Sequence, residues 1–362
     1  MHNKKALVTG GAGGLETHGF PTLAKLAAFL HACLPAGRGK QMFSRRLSSR
    51  ASLVIMKNNL QKALVTGGAG FIGSHLVDAL LARGHDVVVL DDLSTGKLEN
   101  LSHVANKILF IQGSITDKVA VAKSMEGVDV VFHQAAVASV PKSIEDPEGT
   151  HAVNVIGTQN IFDAAKDAQV KRVVYASSCA VYGNAPELPK RERMLKAPAS
   201  PYAEHKSQCE EIAAHSGVES VGLRYFNVFG PRQDPSSPYS GVISIFAKRL
   251  LEGEDITIYG DGETTRDFIF VSDVVAANII VAEAHALIDH IFNVGTGIET
   301  SLNRMVAVFE EALGMKSHVF YEAARAGDIQ RSVADIFRIQ SEFGWSPTVS
   351  FKEGIEKLTH EG

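Results

Sequence analysis

The stretch Ala63–His75 reads A-L-V-T-G-G-A-G-F-I-G-S-H, in which a short apolar run gives way to three glycines spaced three apart. Gly67, Gly70 and Gly73 stand where a strand should end and a helix should begin. At such a junction the first glycine permits a tight turn, the second lets the backbone approach a pyrophosphate, and the third lets the helix pack closely on the strand. The N–H groups at the helix start then face the phosphates. The stretch therefore predicts a dinucleotide site.

A second apolar run follows and ends in a carboxylate. Asp86–Asp91 reads D-V-V-V-L-D, which is typical of a strand buried in a parallel sheet. At the end of that strand Asp91 can accept hydrogen bonds from the adenosine 2′- and 3′-hydroxyls and repel a 2′-phosphate, which favours NAD over NADP. Because the following D-D-L-S-T-G is turn-rich, Asp91 could instead serve a turn.

Strand-like and helical runs then alternate along the chain. Such alternation predicts a parallel sheet covered by helices on both faces. Ser301 is expected to cap a helix in the C-terminal part, with an apolar stripe of Leu302, Met305, Val306, Phe309 and Leu313. The further strand-like runs are Ile108–Gln112, Val128–His133, Arg172–Ala176 and Ser220–Arg224.

Prolines interrupt this alternation from about Phe226 and mark a boundary. We predict an α/β fold, a Rossmann-type doubly wound parallel sheet with a smaller C-terminal α/β substrate domain. The expected ranges are 56–230 for the NAD-binding domain and 231–362 for the substrate domain, with a segment near 267–297 that returns to the first. Residues 1–55 form an atypical N-terminal extension.

That extension contains an imperfect copy of the glycine stretch. Lys5–Gly13 repeats Lys62–Gly70 letter for letter, but Glu16 then stands where the second copy has Gly73, beside the place expected for phosphate charge. The Arg- and Ser-rich leader is similar to an organellar transit peptide. Glu16 and the glycine loop before it fit such a peptide poorly, so the favoured interpretation is an extension or a duplicated gene start, with the functional domain beginning near Met56 and activity independent of what precedes it.

Composition excludes several classes of function. The 362 residues, 45% of them apolar, suffice for one large core or two moderate ones, and a formal charge of −4 argues against nucleic-acid binding. Cys33, Cys179 and Cys209 form no C-x-x-C pair, and no apolar run approaches the roughly 18 residues of a membrane helix. We therefore expect a cytoplasmic protein without a membrane partner. The 14 histidines show no paired metal spacing, so no metal is predicted.

Tyr202 and Lys206 lie four residues apart in A-S-P-Y-A-E-H-K, just after Pro201, which is suited to open a helix. This spacing places both side chains on one helical face. An ammonium about 4 Å from the phenol would supply roughly 4 kcal/mol at an effective dielectric of 20, which would bring the phenol pKa to about 7 before desolvation opposes it. Of the 7 tyrosines only Tyr202 has this spacing. The alternative is a surface tyrosine beside a solvated lysine.

Other candidates lie at the ends of apolar runs. Ser178 follows the run V-V-Y-A-S and could relay a proton between a reacting oxygen and Tyr202, or merely satisfy the backbone. Asn154 lies in an apolar helical run and is more typical of a packing amide. Two arginines of the second domain, Arg266 and Arg325, could clamp a second pyrophosphate, or form surface ion pairs.

Taken together, these features resemble the extended short-chain dehydrogenase/reductase family, and within it the nucleotide-sugar epimerases, from about residue 60 almost to the end. The motifs that carry the resemblance are T-G-G-A-G-F-I-G-S-H at 66–75, D-D-L-S-T-G at 91–96, H-Q-A-A at 133–136, S-S-C-A-V-Y-G at 177–183, Y-x-x-x-K at 202–206, R-Y-F-N-V-F-G-P-R at 224–232, Y-G-D-G-E-T-T-R-D-F at 259–268 and R-A-G-D at 325–328.

The resemblance implies an NAD-dependent UDP-sugar 4-epimerase, a homodimer joined through helices near Asn154 and Tyr202, with Ser178, Tyr202 and Lys206 as catalytic triad. Ser114 stands where many relatives carry Asp at the adenine contact. The residues implied to bind NAD are Gly67, Gly70, Phe71, Ile72, Gly73, Asp91, Ser94, Gly96, Ser114, Ile115, Gln134, Ala135, Ala136, Asn154, Tyr202 and Lys206. Those implied to bind the UDP-sugar are Ser178, Asn227, Thr257, Tyr259, Arg266, Arg325, Asp328 and Ser332.

The resemblance also separates related reactions. Sugar-nucleotide dehydratases and decarboxylases of the family place an acidic residue directly after the catalytic hydroxyl residue, where this chain has Cys179. The chain is most similar to the UDP-N-acetylglucosamine type at 140–147 and 330–335. There Ser332 occupies the position that gates the N-acetyl pocket, and a small residue admits both sugars. The alternatives are a UDP-sugar dehydratase or decarboxylase, a UDP-glucuronate 4-epimerase, and a non-catalytic NAD-sensing Rossmann protein.

Overall fold

A sheet of seven parallel strands lies at the centre of the structure, a computed structural model that describes residues 60–234, 242–324 and 329–360. In chain order the strands are β1 (Lys62–Thr66), β2 (Asp86–Asp91), β3 (Ile108–Gln112), β4 (Val130–His133), β5 (Arg172–Ser178), β6 (Ser220–Tyr225), β7 (Asn227–Phe229), β8 (Ile256–Tyr259), β9 (Thr265–Arg266), β10 (Phe268–Phe270), β11 (Ile291–Val294), β12 (Thr300–Ser301) and β13 (Val319–Glu322).

Eleven α-helices are described alongside these strands, and none of them is long and apolar enough to cross a membrane. They are α1 (Phe71–Ala82), α2 (Lys118–Ser124), α3 (Val140–Glu145), α4 (Pro147–His151), α5 (Thr158–Asp167), α6 (Pro201–His215), α7 (Val242–Leu251), α8 (Val271–Glu283), α9 (Leu302–Leu313), α10 (Phe337–Phe343) and α11 (Phe351–His360). The described part of the chain also has 3₁₀ segments at Leu98–Lys107 and Cys179–Tyr182 and a π-helix at Ala152–Gly157.

The central sheet has the strand order β3-β2-β1-β4-β5-β6-β11. This is the order of a doubly wound sheet, in which successive strands are added on one side of β1 and then, from β4 onward, on its other side. Successive side chains of a strand point to opposite faces. Val65 accordingly packs in one core cluster with Leu76 of α1, and Leu64 packs in another with Phe162 of α5. Helices thus cover both faces, which confirms the predicted fold class.

The predicted strands are present, with shifted ends. β4 begins two residues later than expected because Gly127 has a φ of +66° and Val128 donates to the carbonyl of Met125 at 3.2 Å, which closes a turn. β5 continues to Ser178 and β6 to Tyr225, because those two residues are still paired across the sheet.

The C-terminal part of the chain forms a third core cluster and also returns to the sheet. β8 pairs with β13, and α7, α9 and α11 contribute buried side chains beside them. The helix predicted to follow Ser301 is present, and the Ser301 hydroxyl accepts from the Arg304 N–H at 3.2 Å. Between β8 and β13 in chain order, the chain returns to the central sheet, where β11 pairs with β6. The domain boundary near 230 stays a prediction, and residues 1–55 lie outside the described residues.

Candidate active site

The turn between β1 and α1 is built from contacts that leave no room for side chains. Gly67 has a φ of +67°, and a Cβ on it would lie 2.8 Å from the backbone N and Cα of Ala135. A Cβ on Gly73 would lie 2.1 Å from the Gly67 carbonyl oxygen. The helix begins at Phe71 with Gly70 as its N-cap, so no side chain competes for its first N–H groups. This cradle fits a pyrophosphate.

Asp91 ends β2 beside that cradle. Its carboxylate accepts hydrogen bonds from the N–H groups of Ala69, at 2.9 Å, and Leu93, at 2.8 Å. Burial raises the pKa of Asp91, and these two backbone hydrogen bonds oppose the rise. A Cβ on Gly96 would lie 2.8 Å from the same carboxylate. Because a carboxylate offers about four acceptor sites, two remain for a diol such as a ribose. The turn and Asp91 together fit a dinucleotide.

Two loops at the same sheet edge carry three residues predicted to bind NAD, of which Ser114 and Ile115 are expected beside the adenine. Ser114 follows β3, and its hydroxyl oxygen accepts from the Thr116 hydroxyl at 3.0 Å. Ile115 is buried against the π-helix, at Gly157. Ser94 follows β2, and its N–H donates to the carboxylate of Asp92 at 3.0 Å. Because the carboxyl ends of parallel strands meet at one edge, these loops flank the cradle.

The segment after β4 faces the cradle with its backbone. Ala135 N–H donates to the Thr66 hydroxyl at 3.3 Å, and Ala136 continues this segment. The Gln134 side chain donates to Asn278 at 3.2 Å. Asn154 lies in the π-helix, where an α-helical run is predicted, and both its amide atoms are hydrogen-bonded to the backbone of Val137. Asn154 therefore fixes this segment, and π-helical turns are frequent at functional sites.

His133 connects this segment to the neighbouring helix, a role that its motif alone does not reveal. The Thr158 hydroxyl donates to the Asn154 carbonyl at 2.6 Å and so accepts from Nε2 of His133, at 3.0 Å. Nδ1 then accepts from the Thr66 hydroxyl at 2.7 Å. Burial, with the charge of Lys206 as a second cause, lowers the pKa of His133 to about 3. His133 is thus neutral, with its proton on Nε2.

The structure brings Ser178, Tyr202 and Lys206 together. Ser178 ends β5, and Tyr202 is the second residue of α6, which begins at Pro201 as predicted. The Ser178 hydroxyl is near enough to the Tyr202 phenol to lower its pKa. Lys206 lies one turn further along α6, and its Nζ donates to the Ala176 carbonyl at 2.8 Å and lies 6.0 Å from the centre of the Tyr202 ring.

The expected low pKa of Tyr202 is wrong for the chain by itself. Burial raises this pKa to about 12, and the Ser178 hydroxyl opposes the rise. Burial also lowers the pKa of Lys206. A low pKa would require the ammonium about 4 Å from the phenol, whereas Nζ is held by the Ala176 carbonyl of β5. Desolvation therefore dominates over the attraction between the two groups.

The predicted substrate residues fall into separate places. The Asn227 amide donates to the Asp267 carbonyl at 3.0 Å, and Arg266 Nη1 donates to the Thr265 carbonyl at 2.8 Å. Thr265 forms an isolated bridge with Arg331, which brings the next residue, Ser332, near Arg266. Ser332 is 7% exposed. Thr257 and Tyr259 lie on β8, within the pair that β8 forms with β13. Arg325 and Asp328 lie outside the described residues.

Cys179 occupies the position after Ser178. Burial raises the pKa of its thiol to about 12, with the charge of Asp267 as the second cause. The Asp267 carboxylate is itself fully engaged, because it accepts from Thr296 N–H and hydroxyl, Gly297 N–H and Ala334 N–H at 2.6–3.1 Å. Among the described residues no group of three or more His, Cys, Asp or Glu side chains is arranged to hold a metal ion.

Several known proteins are similar to this chain. A family model described as the NAD dependent epimerase/dehydratase family matches residues 63–295. A UDP-glucose 4-epimerase of Mycolicibacterium smegmatis is 42% identical over 304 residues, which cover 82% of this chain and 96% of that protein. A UDP-N-acetyl-alpha-D-glucosaminuronate decarboxylase of Bacillus cytotoxicus is 33% identical over 311 residues, which cover 82% and 96%.

A solved structure has the same fold. The UDP-N-acetylglucosamine 4-epimerase of Methanobrevibacter ruminantium, in complex with UDP-N-acetylmuramic acid, is 38% identical, with a TM-score of 0.79, and the match covers 84% of this chain and 98% of that one. These similarities confirm the predicted resemblance and NAD as the cofactor. The chain belongs to the NAD-dependent epimerase/dehydratase family.

Proposed function

We propose that this chain is a UDP-sugar 4-epimerase, which interconverts UDP-N-acetylglucosamine with UDP-N-acetylgalactosamine, UDP-glucose with UDP-galactose, or both pairs. One observation carries the proposal: Ser178, Tyr202 and Lys206 meet at the end of β5, with Cys179 where an acid is expected in a lyase. The names of two relatives, a UDP-glucose 4-epimerase and a UDP-N-acetylglucosamine 4-epimerase, support the same reaction.

The cradle, with Gly67, Gly70 and Gly73, would hold the pyrophosphate of NAD, and Asp91 would hold its adenosine ribose. NAD held there would supply a reversible hydride acceptor for C4 of the sugar. Tyr202 takes the O4 proton through Ser178 and later returns it, as a general base and then a general acid. Its phenol pKa of about 12 must fall for this step. The positive charge of an oxidised nicotinamide and Lys206 would favour the phenolate.

Inversion at C4 requires a firm grip on UDP and a loose grip on the hexose, because the 4-keto sugar must present its other face before reduction. Asn227, Arg266, Arg325 and Asp328 would hold the UDP, and arginine is suited to grip a diphosphate bidentately. Ser332 would border the substituent at C2, where a small side chain leaves room for an acetamido group. Thr257 and Tyr259 would complete the nucleotide side.

A lyase reaction is less well supported. Loss of water or of CO₂ needs a further proton donor near the sugar, and the neutral Cys179 thiol, with its pKa of about 12, is a weak acid. Asp267 is acidic but its oxygens accept four hydrogen bonds from its own chain. A non-catalytic NAD sensor would have no need of the Tyr202, Lys206 and Ser178 arrangement.

Separate incubations of the protein with UDP-galactose, UDP-N-acetylgalactosamine and UDP-glucuronate, each followed by chromatographic separation of the products, test the proposal. Conversion to the gluco epimers is expected, and the two rates define the sugar preference. A deoxy-keto sugar, or a pentose formed from UDP-glucuronate, would instead establish a lyase. Bound NAD without turnover of any of these substrates would establish a sensor. The homodimer is a separate proposal, which the molar mass in solution tests.

A further inference from the structure

A buried ion pair links the catalytic helix to the sheet. Glu210, on α6, and Arg224, on β6, form two hydrogen bonds, from Nε to Oε1 at 2.8 Å and from Nη2 to Oε2 at 2.8 Å. Their side chains are 7% and 4% exposed. Oε1 also accepts from the hydroxyl of Ser177 at 2.7 Å, and Ser177 precedes Ser178 on β5. The pair therefore fixes α6 against the strand that carries Ser178.

Tyr182 and Asn293 extend this contact away from the helix. Arg224 Nη1 donates to the Tyr182 hydroxyl at 2.9 Å. Because a guanidinium can only donate, the Tyr182 hydroxyl donates onward, to Asn293 Oδ1 at 2.6 Å. The Asn293 amide nitrogen then donates to the carbonyls of Lys190, at 2.8 Å, and Asp335, at 3.1 Å. Each donor in this series of hydrogen bonds has an acceptor, so the direction of the series is fixed from Arg224 to Asn293.

At Asn293 the series of hydrogen bonds reaches the segment that carries Ser332. Lys190 N–H donates to the Val333 carbonyl at 2.8 Å, and Asp335 N–H donates to the Lys190 carbonyl at 2.8 Å. Asn293 binds the carbonyls of both Lys190 and Asp335 and so fixes this short backbone pairing from one side. We refer to residues 332–335, which carry Ser332 and pair with Lys190, as the Ser332 wall.

We propose that Tyr182 and Asn293 are positioning residues for substrate specificity, which set the distance between Ser178 and the Ser332 wall. The inference rests on the proposed 4-epimerase function. Neither residue needs to touch the sugar, because both act through the backbone of the Ser332 wall. An acetamido group at C2 is larger than a hydroxyl and would depend more on the position of this wall. A loosened wall should therefore impair N-acetylated substrates more than plain hexoses.

The variant Tyr182→Phe tests this inference by removal of one oxygen atom. The ring that lies 4.8 Å from the Arg224 guanidinium carbon is kept, while the hydrogen bonds of the hydroxyl with Arg224 and with Asn293 are lost, and only the second of them leads to the Ser332 wall. We expect kcat/KM for UDP-N-acetylgalactosamine to fall about fivefold more than for UDP-galactose, the factor that corresponds to one hydrogen bond of about 1 kcal/mol. Rates are normalised to bound NAD per subunit, so that misfolded protein is not counted.

Tyr225→Phe is the matched control. Tyr225 follows Arg224 on β6 and points to the opposite face of the sheet, where its hydroxyl contacts Asn278 at 3.0 Å. Its removal is expected to change both substrates by the same factor. An equal loss for both substrates in Tyr182→Phe would overturn the inference and leave the proposed function intact.

A protein that epimerises neither sugar would overturn the proposed function instead. The positioning role is then tested by hydrogen–deuterium exchange of the backbone at 333–335. Faster exchange in Tyr182→Phe than in Tyr225→Phe supports the role, and equal protection in both variants contradicts it.

Discussion

Lys206 Nζ donates to the Ala176 carbonyl at 2.8 Å, two residues before Ser178, and lies 6.0 Å from the centre of the Tyr202 ring. The ammonium thus anchors α6 to β5 as well as supplying charge. Because burial holds the pKa of Tyr202 at about 12 in the chain itself, the phenolate needs a further positive charge nearby. In the proposed function the oxidised cofactor supplies it, so that the base is active only when the cofactor is bound.

Replacement of Tyr202 by Phe removes the proposed base and keeps the ring. We expect kcat to fall by about a hundredfold to ten-thousandfold, the usual contribution of a general base, with nucleotide binding retained. Turnover of UDP-galactose and the amount of NAD that copurifies are the measurements. Tyr321→Phe, at an exposed position, is the control and should keep full activity. Comparable activity in Tyr202→Phe would overturn the assignment.

The raised pKa of Tyr202 predicts loss of stability at alkaline pH. In the unfolded chain the phenol releases its proton near pH 10, whereas the folded chain keeps it up to about pH 12. The unfolded state therefore binds fewer protons in this window, and the free energy of unfolding falls by about 1.4 kcal/mol per pH unit for this group. The free energy of unfolding, measured by denaturant titration at several pH values in this window, should fall less steeply with pH in Tyr202→Phe. The expected difference in slope corresponds to one proton. An unchanged slope, equal to that of Tyr321→Phe, contradicts the prediction.

The lowered pKa of His133 predicts loss of stability at acid pH. The unfolded chain takes up a proton near pH 6.5, but the folded chain does so only near pH 3. The free energy of unfolding therefore falls as the pH drops through this window, by about 1.4 kcal/mol per unit. His133→Asn keeps an acceptor for Thr66 and should remove this dependence, while His318→Asn, at an exposed position, should not. Equal acid slopes in the two variants would refute the neutral, buried imidazole.

Gly73→Ala would place a Cβ 2.1 Å from the Gly67 carbonyl oxygen. The turn must shift to accept it, so we expect bound NAD to fall at least tenfold, a loss of about 1.4 kcal/mol or more in binding. Gly84→Ala is the control: its φ of +81° makes the substitution cost about 1 kcal/mol of stability, but its Cβ would meet no neighbour. A Gly73→Ala protein that retains its NAD would show that the cradle is misassigned.

Local patterns were enough to predict the cradle, because Gly67 and Gly73 each answer a steric demand of the backbone next to them. The pKa of Tyr202 was not predictable, since burial is the largest cause of its rise, and the depth of burial depends on how the rest of the fold packs around α6. The π-helix around Asn154 also escaped prediction, because a single inserted residue changes the hydrogen-bond pattern without a mark in the composition.

The buried pair of Glu210 and Arg224 shows the same limit. The two residues lie on a helix and on the following strand, and neither motif indicates that they meet or that Tyr182 and Asn293 continue the contact. Pairings of this kind depend on the register of neighbouring strands, which the apolar pattern of each strand leaves open.

The fate of the hydrogen at C4 distinguishes 4-epimerisation by hydride transfer from the other reactions of the family. UDP-galactose with deuterium at C4 is incubated with the protein, and the UDP-glucose formed is analysed by NMR and mass spectrometry. Removal of this hydrogen as hydride and its return to the same carbon predict full retention of deuterium at C4, with no exchange from solvent. Loss of the label to solvent, or its appearance at another carbon, would rule out hydride transfer from C4 and back to C4.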